Sequence, residues 1–160
     1  MSDPVQTDVT RSAEAPFVAD GVVLGRMRAR AHRGLGGTRT HYVYVMEVTP
    51  AIEGVTGFQT DFPAGGFTGR AGYAGVLLRS GVPRTGRVIV GCDGGKLTWA
   101  VEPAAAWNSD ERMIFFWESY RPPAAEPGAA ALTVRDRTAT APVPRAVPAP
   151  GKAAAGERCR

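Results

Sequence analysis

The chain has 160 residues, enough for one domain with a genuine core, and its 44% apolar content sits near the globular norm, which excludes a wholly disordered protein. Gly 20 and Pro 13 make up about a fifth of the residues and exclude a fold of long helices, since an interior Gly costs roughly 1 kcal/mol and a Pro about 3. The net charge of +4 is unevenly spread: residues 1–20 hold one base against four acids, residues 21–50 five bases against one acid, and a basic surplus returns after residue 126.

Residues 1–16 are polar and acidic, and are expected to form a disordered arm. They contain no apolar stretch of the kind that marks a secretory signal, and no run in the chain approaches the 18 apolar residues of a membrane-spanning helix. Cys92 and Cys159 do not make a disulfide framework. With Cys159 one residue from the end of a flexible tail, no stable bridge to Cys92 is expected, and a reducing, cytoplasmic setting follows.

Residues 17–121 form the expected body, a single β-rich domain. Between Val22 and Ala31, Arg26, Arg28 and Arg30 alternate with Met27, Ala29 and Ala31, the period of two that marks a half-buried strand. The loop Arg33-Gly34-Leu35-Gly36-Gly37-Thr38 then turns the chain back into a second strand, His41–Val48, with large side chains on both faces. Gly57–Phe62 is a third candidate strand. The Gly-rich residues 64–72 match neither a P-loop nor a dinucleotide-binding pattern and read as a mobile loop, followed by a short apolar segment, Tyr73–Leu78.

The clearest second hairpin runs from Arg87 through Asp93-Gly94-Gly95 to Glu102, because an Asp-Gly pair between two β-rich runs is a strong hairpin cue. Residues 107–120 admit two readings. Asn108 or Ser109 would cap a short helix, whereas Met113-Ile114-Phe115-Phe116-Trp117 has the residue types of a buried strand, and a strand from Arg112 to Tyr120 is preferred. From residue 122 to 160 the chain turns to Ala, Pro, Gly and Arg without an aromatic, a composition expected to stay flexible apart from brief order at Ala130–Val134. Together these elements predict an all-β fold, with at most one short helix: a small antiparallel barrel or sandwich of about five to seven strands between flexible tails.

The candidate ligand-binding residues are Arg26, Arg28, Arg30, Arg33 and Arg39, with Tyr42 and Tyr44 on the partner strand. Arginines two apart on a strand stand about 7 Å from one another, near the repeat of an extended phosphate backbone, and the tyrosines would offer stacking faces if they share the arginine side. A one-residue shift in register sends them to the core instead. No catalytic, cofactor or metal constellation is visible. His32 and His41 flank one turn, and Cys92 reads as a packed core thiol. The leading expectation is a non-enzymatic interaction or accessory module that meets a protein partner or a second copy. A single-stranded nucleic-acid-binding barrel comes next, and a small barrel enzyme is the weakest reading. No characterised family is recognisable in these motifs.

Overall fold

The computed structural model describes residues 9–34, 36–61, 64–77, 88–102, 106–109, 111–123, 129–134 and 137–140. The acidic stretch 1–8, the proline-rich stretch 142–150 and Cys159, all used in the reading of the sequence, lie outside them. The described residues form ten strands and no helix: β1 (Val9–Ala19), β2 (Val22–Arg33), β3 (Tyr42–Pro50), β4 (Val55–Thr60), β5 (Phe67–Leu77), β6 (Ile89–Asp93), β7 (Lys96–Ala100), β8 (Glu111–Ser119), β9 (Ala130–Val134) and β10 (Arg137–Thr140).

Hydrogen bonding follows the order β5-β8-β3-β2-β1-β10-β9-β4-β7-β6, with every pairing antiparallel. The order breaks naturally into two layers. One is β5-β8-β3-β2-β1, the other β10-β9-β4-β7-β6, and among the described residues the register pair Val18 with Thr140 joins them. The arrangement is sandwich-like and not a closed barrel.

Aromatic side chains fill the space between the layers. Phe115 on β8 is their hub: it stacks on Phe58 of β4 at 4.5 Å and meets Trp99 of β7, Trp107 and Tyr73 at 5.5–5.7 Å. The Trp99 indole N–H donates to the Gly72 carbonyl on β5 at 2.9 Å, and the Trp107 indole N–H donates to the Tyr73 hydroxyl at 2.8 Å. Both indoles are thus buried with their polar atom satisfied, which keeps a tryptophan core from costing desolvation.

Residues 111–120 resolve in favour of the strand. β8 alternates without a break, with Met113, Phe115 and Trp117 buried and Arg112, Ile114, Phe116 and Glu118 half-buried. The capping chemistry is present without a helix: the Glu111 side chain accepts from the Asn108 N–H at 3.2 Å, and the Glu111 N–H donates to the Asn108 carbonyl at 3.1 Å.

Strand structure reaches into both segments read as arms. β1 begins at Val9, within the acidic segment, and β9 and β10 lie within the Ala/Pro/Arg-rich one. β9 is a central strand of its layer, with Ala130, Ala131, Leu132 and Val134 buried. β9 spans Ala130–Val134, the stretch of that segment where brief order was expected, and β10 extends the order beyond it. The Gly-rich loop is corrected as well: β5 starts at Phe67, with an irregularity between Phe67 and Ala71. Gly72 has a packing reason, because a Cβ there would collide with the ring of Phe116, which lies across it.

Candidate functional site

The arginine strand folds as its alternation requires. Met27, Ala29 and Ala31 are buried, Arg26 and Arg28 are exposed, and Arg30 is half-buried. Register then decides what faces the arginines. Glu14 on β1 and Glu47 on β3 both lie opposite Arg28. The Arg28 Nε–H donates to Glu14 at 2.9 Å, and Glu47 is shared by Arg30 at 4.0 Å and Arg112 at 3.5 Å. Three of the sheet-face cations therefore share two carboxylates, Glu14 and Glu47. Arg26 lies in the next row, between Pro16 and Thr49, on the rim of a shallow groove of about 400 Å³.

Tyr42 and Tyr44 do not join this face. Tyr44 pairs with Ala31 and Tyr42 with Arg33, so both follow the core parity of β2. Tyr44 is fully buried, stacked on Trp117 at 5.1 Å, and its hydroxyl donates to the Arg121 carbonyl at 2.8 Å. Burial pushes its phenol well above the ordinary tyrosine range, and Tyr42 adds to the shift. A tyrosine so placed has no face to offer a ligand. The stacking role expected of Tyr44 fails on register, and Tyr42 is half-buried against the core.

At the far end of the same hairpin the chemistry differs. Gly36 and Gly37 take left-handed backbone angles (φ 85° and 81°), a conformation open to glycine at no steric cost, and turn the chain between β2 and β3. Arg33 and Arg39 are exposed there, and the Arg39 guanidinium lies over the ring of Tyr120, 4.0 Å from its centroid. Such an exposed cation–π contact contributes about 0.5–1 kcal/mol. Tyr120 itself is 37% exposed.

The edge of the second layer is the other distinctive surface. Among the described residues β6 pairs with β7 alone. It ends the strand order, and Ile89 and Val90 are 61% and 39% exposed. These are consecutive residues, so apolar side chains stand open on both faces of the strand. Cys92, two residues on, is half-buried and packed against the core as expected, but it is disulfide-bonded and not a free thiol. That bond withdraws the premise from which a reducing compartment was inferred.

No family model, no curated protein and no solved structure matches the chain. Its own geometry therefore carries the functional reading. Among the described residues no helix is long and apolar enough to cross a membrane.

Three surfaces thus stand out: an arginine face compensated by its own acids, a cationic hairpin tip with an open tyrosine, and an apolar sheet edge. A sequence signal existed for the acids of the first. The Asp-Gly pair at 20–21 predicts a hairpin that brings β1, and with it Glu14, beside the arginines; Asp20 and Gly21 indeed adopt left-handed angles of 50° and 76°. Ile89 and Val90 were visible as strand residues, but nothing local marks them as an edge.

Proposed function

We propose that the protein is a non-enzymatic interaction module that receives an extended strand along β6, with a second copy of the chain as the partner. The observation that supports this reading is the exposure of Ile89 and Val90 on a strand at the end of the hydrogen-bonding order. An edge strand presents a row of main-chain donors and acceptors, and natural edges are ordinarily guarded by Lys, Pro or a bulge. β6 reads Ile-Val-Gly-Cys-Asp, with one charge at its far end and no such guard. Strand addition at an edge takes its affinity from main-chain hydrogen bonds and its selectivity from the side chains on alternate faces. Two identical edges in antiparallel pairing satisfy a two-fold axis, the commonest symmetry of soluble oligomers.

Sedimentation velocity over a range of protein concentrations tests the proposal. Wild type is expected to shift from monomer toward dimer as concentration rises, and Ile89→Lys to remain monomeric while keeping its thermal stability. A wild type that stays monomeric throughout, or an Ile89→Lys protein that dimerises as readily, removes β6 as the contact.

A further inference from the structure

We infer that the tip of the β2–β3 hairpin is a single-stranded nucleic-acid site in which a base stacks between Arg39 and Tyr120. The inference does not depend on the β6 edge, which lies in the other layer. It moves the nucleic-acid reading away from the arginine strand, where Glu14 pairs with Arg28, and Glu47 with Arg30 and Arg112.

Three observations carry it. The first is the platform. Tyr120 is an exposed aromatic ring, and the Arg39 guanidinium already lies over its face, 4.0 Å from the centroid. Aromatic rings and arginine planes are the two surfaces on which unpaired bases stack.

The second is rigidity on one side and freedom on the other. The Tyr120 N–H donates to the Gly66 carbonyl at 2.8 Å. Its neighbours are tied as well: the Ser119 hydroxyl donates to the Gly65 carbonyl at 2.6 Å, and the Arg121 carbonyl accepts from the Tyr44 hydroxyl at 2.8 Å. Arg39, by contrast, sits on an exposed turn beyond two left-handed glycines. A fixed ring with an adjustable cation above it opens by the thickness of a base without disturbing the core.

The third is charge. Residues 31–46 contain Arg33 and Arg39 and no acid. Arg33, Tyr42 and Ser119 form one row across β2, β3 and β8, so Arg33 lies at the same end of the sheet as Tyr120. Arg33 is exposed there and supplies a cation for a phosphate of the bound strand. The nearest acid in sequence to Tyr120, Glu118, is occupied by Arg70 at 3.7 Å and Thr68 at 3.3 Å.

The test is fluorescence anisotropy with a short labelled oligothymidylate and a backbone of the same length lacking bases, for wild type, Tyr120→Ala, Tyr120→Phe, Arg39→Ala and the double variant Arg28→Ala/Arg30→Ala. Wild type is expected to prefer the oligothymidylate over the abasic strand. Tyr120→Ala should weaken binding at least roughly fivefold, the lower end of what one stacked base contributes. Tyr120→Phe should retain it, Arg39→Ala should lose it, and the double variant should match wild type. Binding should fall with salt at a log–log slope of about −0.7, for one phosphate neutralised on a single strand by Arg33. The inference is overturned if wild type does not bind at low salt, if both strands bind alike, if Tyr120→Ala binds as wild type does, or if the double variant is the one that loses binding.

Discussion

β8 and β6 are both short apolar strands, and the molecule treats them in opposite ways. β8 lies between β5 and β3, and its Met113, Phe115 and Trp117 are fully buried. β6 lies at the end of the order, and its Ile89 and Val90 face outward. What separates them is the number of neighbours, not the character of their side chains. A central strand is flanked on both sides and covered by the opposite layer, whereas an edge strand keeps one side of its main chain unpaired. The same apolar residue type thus serves cohesion in one place and, in our reading, association in the other.

Substitutions that truncate each strand bear directly on that contrast. Phe115→Ala removes the ring on which Phe58, Trp99, Trp107 and Tyr73 converge, and should cost about 3–5 kcal/mol in urea unfolding. Ile89→Ser should stay within about 0.5 kcal/mol of wild type when the monomer is unfolded. Comparable losses at the two positions would mean that β6 is packed after all, and the contrast would break.

Tyr44→Phe sharpens the picture of the buried layer. Losing the hydroxyl that donates to the Arg121 carbonyl should cost about 1 kcal/mol at neutral pH. The alkaline limb adds a second signature. Burial raises the folded phenol above its unfolded value of about 10, so both states are protonated below that pH and Tyr44 adds no pH dependence there. As pH rises past about 10 the unfolded chain gives up this proton first, and stability falls until the folded phenol also ionises. Tyr44→Phe should flatten that fall in thermal melts recorded from pH 9 upward, as an order-of-magnitude window set by the unfolded phenol. An unchanged alkaline limb would contradict the burial.

The smallest effect belongs to the arginine face. Arg28 and Glu14 are 59% and 70% exposed as side chains, so a double-mutant cycle with Arg28→Ala and Glu14→Ala should give a coupling of about 0.2–1 kcal/mol that fades with salt. A coupling well above that range would show the pair to be screened from water.

The architecture was legible where a side-chain period states its own geometry. Arg26, Arg28 and Arg30 were placed outward by alternation, Met27, Ala29 and Ala31 inward, and the aromatic run at 113–117 was read as a strand on residue type. Where long-range pairing decides, the sequence was silent. The Asp-Gly turn at 20–21 signals the β1–β2 hairpin, but that Glu14 and Glu47 both stand opposite Arg28 follows from the exact registers of β1 and β3, which no local pattern specifies. Tyr44 faces the core for the same reason. β9 coincides with the stretch Ala130–Val134 where brief order was expected, but its place as a central strand of its layer depends on pairing with β4 and β10, which its five residues do not state. The edge position of β6 is a property of the whole strand order and has no counterpart in its five residues.

The measurement that bears most directly on the account is amide hydrogen exchange at Ile89–Asp93, compared at low and high protein concentration. If a second copy adds its strand to β6, these amides should exchange more slowly as concentration rises, while those of β8 remain equally protected at both. Exchange at β6 that is independent of concentration would contradict the proposal that this edge is where the protein associates.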